Sequence, residues 1–118
     1  MKPQAVKYML MAQDMDRAVS FYRDIMGFEE SFTSPYWSEL KFGDAILALH
    51  GGGEGDRNET GLSIQYEDVR AAFDAAIEAG AAEVQQPEQR EGEPIILASV
   101  GDPEGNVFML TQYVGHEE

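Results

Sequence analysis

The chain contains no cysteine. Disulfides, thiol catalysis and cysteine-ligated zinc are therefore excluded. Basic residues are scarce, with 8 Lys and Arg against 22 Asp and Glu, for a formal net charge of −14. A field of that sign repels polyanions, so nucleic acid and anionic membrane surfaces are not expected partners, whereas a cationic ligand is favoured. The acids are dispersed, which also fits the plain role of keeping a surface solvated. Histidine is nearly absent: His50 and His116 are the only two. Long apolar runs are missing as well. The stretch Ala45–Leu49 is far too short to span a bilayer, and the N-terminal MKPQAVKYML lacks the apolar segment of a secretion signal. A cytoplasmic protein is the expectation.

What remains is enough for one core. A chain of 118 residues with 43% hydrophobic content makes a single ordinary domain, and a domain of that size buries roughly two-thirds of the surface its unfolded chain exposes. Residues 5–12 read as an apolar strand, followed by Asp14 as a helix N-cap. Met15, Ala18, Val19, Tyr22 and Met26 then recur at helical spacing, and Gly27 ends that helix. Three short strands follow, Phe28–Thr33, Tyr36–Phe42 and Ala45–His50, broken by Pro35 and Gly43-Asp44. Residues 51–60, GGGEGDRNET, offer no apolar anchor and read as a linker.

The order then repeats. Gly61–Tyr66 alternates like a strand with one buried face. Asp68 caps a second helix carried by Val69, Ala72, Phe73, Ala76 and Ile77, and Gly80 stops it. Ala81–Val84 begins a strand, Gln85–Glu93 reads as a polar loop around Pro87, and Ile95–Val100 with Asn106–Val114 makes a closing hairpin. Thirteen positions separate Asp14 from Gly27, and twelve separate Asp68 from Gly80. The expectation is an α+β fold of two tandem βαβββ modules, residues 1–50 and 61–114, with a polar tail at 115–118.

Two motifs carry a resemblance. Asp14–Phe28 is similar to the first-helix signature of the glyoxalase/bleomycin-resistance/dioxygenase (vicinal oxygen chelate) superfamily, an Asp followed by a helix ending in "FY…LGF". Gly101–Asn106 resembles that family's "DPDGN" turn before the last strand. The resemblance implies that each module's strands curve into half of a cup, with helices on the convex face, and that a homodimer completes it. It also implies a test, because the metal-dependent members place a divalent ion at the bottom of the cup on His, Glu or Gln from four strand positions. Aligned on the helix caps, those positions fall here at Lys7, at Leu47 (or Leu49 in a shifted register), at Gly61 and at Met109. An ammonium has no lone pair to give, glycine has no side chain, and an aliphatic or a thioether is no ligand for a hard or borderline cation.

If those positions point inward, so do their neighbours two residues away. The cup lining would then comprise Lys7, Met9 and Met11; Trp37 and Leu40; Leu47 and Leu49; Ser63 and Gln65; and Val107, Met109 and Thr111. Apolar, methionine-rich walls with a few polar groups describe a pocket for an organic molecule, or else residues that simply pack against one another. His50 shares a strand face with Ile46 and Ala48, beside the glycine linker, and is read as structural, exposed or in contact with ligand. Glu39 is read as solvated or paired with Lys41, and Asp14, Asp16, Asp68 and Asp102 as caps and turn residues. The leading expectation is a homodimeric, cofactor-free member that sequesters a small hydrophobic or cationic molecule. One alternative is a Zn- or Ni-type lyase, isomerase or dioxygenase recruiting His50, Glu39 or Gln65. Another is a purely structural interaction module.

Overall fold

A computed structural model describes residues 1–115 of the chain; most of the expected tail, His116 included, lies outside the described residues. The first module consists of β1 (Lys7–Ala12), α1 (Met15–Ser20), a π turn (Phe21–Ile25), β2 (Glu29–Phe32), β3 (Trp37–Phe42) and β4 (Ala45–Gly51). The second consists of β5 (Asn58–Gln65), α2 (Val69–Glu78), β6 (Ala82–Gln89), β7 (Ile95–Gly101) and β8 (Asn106–Tyr113). Each module forms a four-stranded mixed sheet, ordered β1-β4-β3-β2 and β5-β8-β7-β6, with the first and last strands parallel. This is the expected pair of βαβββ modules. Among the described residues, no helix is long and apolar enough to cross a membrane.

The helix boundaries follow the expected local chemistry. Asp14 and Asp68 each accept a first-turn N–H, from Arg17 and Ala71, at 3.1 Å. Gly27 and Gly80 take φ of 94° and 106°, which a side chain would oppose. One helix departs from a simple α pattern. The Met26 N–H bonds to the Phe21 carbonyl, an extra residue in the turn, so that consecutive Phe21 and Tyr22 are both buried along with Met26.

Two boundaries differ from expectation. β5 begins at Asn58 because Asn58 and Glu59 pair with Asn106 and Val107, leaving only 52–57 as connection. β6 runs on through Pro87 to Gln89, with register breaks on the way. It is an edge strand, where a residue without an N–H leaves no ladder bond unmade.

Both helices pack on one face of the sheet layer, and a single apolar cluster joins the modules through Leu10, Leu40, Leu49, Tyr22, Phe108 and Leu110. The molecule measures 45 × 38 × 22 Å; its short dimension matches one sheet plus one helix layer, each about 10 Å deep. The turn Asp102–Asn106 fastens the modules together. The Asn106 side chain accepts the Met11 N–H and donates to the Met11 carbonyl, as a neighbouring strand would. The buried Glu104 carboxylate accepts the N–H groups of Gln13 and Asp14, both at 2.8 Å, and the Arg17 guanidinium at 2.7 Å. Asp102 accepts from the Tyr22 hydroxyl at 2.5 Å, the Asn106 amide and two backbone N–H groups.

Candidate functional site

Strand alternation divides the side chains between the helix-covered face and an open face. On β1, Leu10 and Ala12 are buried against the helices, so Lys7, Met9 and Met11 point the other way. The parallel register places Ile46, Ala48 and His50 beside those three, and β3 adds Lys41, Glu39 and Trp37. Leu47 and Leu49 therefore do not line the open face. Both are essentially inaccessible in the helix-side core, and so is Leu40. His50 and Trp37 stand where Leu49 was expected.

On the open face the Glu39 carboxylate accepts from the Lys7 ammonium and from the Trp37 indole N–H, each at 2.8 Å. Lys7 takes the partner role expected of Lys41. The Lys7 ammonium, and then the indole N–H, hold Glu39 below the usual carboxylate range. The rings of Trp37 and His50 meet edge to face, centroids 6.1 Å apart. His50 is exposed, and its Nδ1 lies 2.6 Å from the Gly51 carbonyl. A carbonyl only accepts, so Nδ1 carries the proton and Nε2 is left as an acceptor in the neutral ring. The second module extends the same face. Ser63 is paired with Met109, Gln65 with Thr111, and Ser99 and Leu97 flank them on β7.

These residues do not suit a divalent ion. Lys7 is engaged with Glu39, Gly61 has no side chain, Met109 offers only a thioether, and the β4 neighbours of Lys7 and Met9 are Ile46 and Ala48. Among the described residues no three His, Cys, Asp or Glu converge on a point. Glu39 is already engaged by Lys7 and the Trp37 indole, and Gln65 lies in the other sheet.

A second feature was not anticipated. A cavity of about 590 Å³ opens at the seam between the modules, where the start of β1, the start of β4, the end of β5 and the exit of α1 meet. Tyr8, Phe42, Leu47, Leu62, Ile64 and Tyr66 line it from the helix side of their strands, with Met26, Gly27 and Phe28 from the helix exit. Of the expected lining, Leu47, Ser63 and Gln65 reach this cavity, while Lys7, Met9, Met11, Trp37, His50 and Met109 do not. The alternation of Leu62, Ile64 and Tyr66 marks a buried face in sequence. Nothing there says that part of the face borders a void, since the void is made by elements far apart in the chain.

The model of the glyoxalase-like domain family matches residues 7–111. None of the curated proteins matches the chain in sequence. Among solved structures, the chain is similar to a glyoxalase/bleomycin resistance protein/dioxygenase family enzyme from Burkholderia phytofirmans PsJN, with 21% identity, 91% of this chain and 96% of that one covered, and a TM-score of 0.74. It is also similar to a member of the same superfamily from Sphaerobacter thermophilus, at 20% identity, 94% and 98% coverage and a TM-score of 0.76. A glyoxalase/bleomycin resistance protein/dioxygenase from Alicyclobacillus acidocaldarius matches at 21% identity, 93% and 91% coverage and 0.70. Likeness at this level of identity establishes the shared fold.

Proposed function

The chain belongs to the glyoxalase-like domain family, and from that membership we propose that it is a metal-free binding protein for a small hydrophobic or cationic organic molecule. The ligand lies on the open sheet face, a second copy of the chain completes the cup, and the ligand is held without being chemically changed. One observation carries the reading: the strand positions from which metal-dependent relatives would be built present Lys7 locked to Glu39, Ile46 and Ala48, Gly61 and Met109. Around them stands a surface suited to an organic body. Trp37 offers a ring bordered by His50 and anchored by Glu39, and Met9 and Met11 supply adaptable side chains beside it. A cation finds both the indole face and the overall charge of −14 favourable.

Trp37 is the sole tryptophan, so its emission reports on this face alone. Titration with tetraphenylphosphonium is expected to change that emission and to raise Tm, and Zn²⁺ or Ni²⁺ to do neither. A metal-dependent rise of several degrees, with stoichiometric metal retained and lost in His50→Ala, would sink the reading in favour of metal-dependent chemistry. Gel filtration is expected to give about twice the 13.1 kDa chain mass; elution at the chain mass would remove the dimer.

A further inference from the structure

The seam cavity opens mostly on the helix side of the sheet layer, away from Trp37 and Glu39; it borders the open face at Ile46, Ser63 and Gln65, and the proposed function leaves the rest of it unused. We propose that it is a second, separate binding site, for a neutral, flat and largely apolar molecule that bears a lactam or amide edge. Its volume of about 590 Å³ falls in the range that encloses such ligands, roughly 300–1,000 Å³. Phe28, Phe42, Leu47, Leu62 and Ile64 supply apolar walls. The lining contains no Lys, Arg or His, and its one charged residue is Glu67. An anion placed there would lose its hydration, meet a carboxylate and find no cationic side chain to offset the loss.

The polar handle is the outer edge of β5. The Tyr66 N–H bonds to the Thr111 carbonyl, so the peptide groups of Ile64 and Tyr66 face β8. By alternation those of Gly61, Ser63 and Gln65 face away from it. The first of these already has a surrogate partner, since the Gly61 N–H is taken by the Tyr8 hydroxyl. The next two, Ser63 and Gln65, border the cavity. Among the described residues β5 is the outermost strand of its sheet, with β8 its only ladder neighbour. A donor and an acceptor side by side on a ligand meet the N–H and C=O of such an edge as an added strand would.

Three probes test the site on ¹⁵N-labelled full-length protein: 2-quinolone, N-methyl-2-quinolone and naphthalene-2-carboxylate. The lactam is expected to shift the Ser63 and Gln65 amide resonances, and saturating tetraphenylphosphonium to leave those shifts in place. Methylation, which removes the donor, is expected to weaken binding about tenfold, and the carboxylate to cause no shift. Ala45→Trp, at an exposed position on the cavity rim, is expected to abolish binding by filling the space. Equal affinity for the two quinolones overturns the edge pairing. Shifts confined to Met9, Trp37 and Met109, or no shift with any probe, overturn the site itself.

Discussion

The Glu104 carboxylate is wholly inaccessible, yet each of its oxygens has a donor. The Arg17 partner is half exposed, so the ion pair itself adds little; the Gln13 and Asp14 N–H groups, which have no other acceptor among the described residues, matter more. Glu104→Ala leaves both unsatisfied and is expected to cost about 3 kcal/mol in urea unfolding. Glu104→Gln keeps an oxygen for them and is expected to cost about 1 kcal/mol. Equal losses for the two would show that charge, and not backbone satisfaction, is what counts. Asp102 gives a pH-dependent counterpart. Burial raises its pKa, opposed by the bond from Tyr22 and those from Asn106 and Glu104. With the folded value above the unfolded one, its stabilising effect is complete at acid pH and lost as pH climbs through the folded value. Tyr22→Phe removes one opposing donor and lifts that folded value further. The variant's deficit is therefore expected to be about 2 kcal/mol at pH 7, where the bond is made to a carboxylate, and smaller near pH 4. A deficit that does not vary with pH would place the loss in packing.

At the level of elements, the two helix caps are separable. Asp14→Ala and Asp68→Ala each remove one side-chain acceptor from a first-turn N–H, and each is expected to cost about 1 kcal/mol. The caps share no partner, so the double variant is expected to lose the sum; a clear shortfall or excess in the urea midpoints would mean the modules respond as one. These caps were readable in sequence because they depend on residues three apart, and the glycine stops on residues still closer. The face of β4 was not. Ala45–Leu49 is apolar throughout, and Leu47, Ala48 and Leu49 are all buried to within 1%. No alternation exists there to tell helix side from open side. The open face was legible where the resemblance fixed a strand position, at Lys7 on β1 and Met109 on β8, because their neighbours two residues away share their face. The start of β5 was hidden for a related reason: Asn58 and Glu59 are polar, and become strand only because β8, almost fifty residues later, lies beside them. The π turn and the seam cavity likewise depend on contacts that no local pattern records.

The molecule as a whole is flat. Its radius of gyration is 14.7 Å, against about 13.5 Å for a compact chain of this length, because one face of the sheets carries helices and the other carries none. Met9 is 49% exposed on that bare face, and Phe32, in register with Glu39, is 55% exposed on it. Burying this surface against a second copy is favourable, but each copy brings a net charge of −14. Association is then a contest between apolar burial, which salt leaves intact or strengthens, and mutual repulsion, which salt screens. Raising ionic strength from about 0.01 M to about 1 M shortens the screening length from about 30 Å to about 3 Å. The proposed dimer, measured by sedimentation equilibrium, is therefore expected to tighten with salt, and Tm to rise with it. An interface held by ion pairs would respond in the opposite sense. Loosening at high salt would thus mean that the copies meet through Lys and Arg contacts elsewhere, leaving the Trp37 face open to solvent.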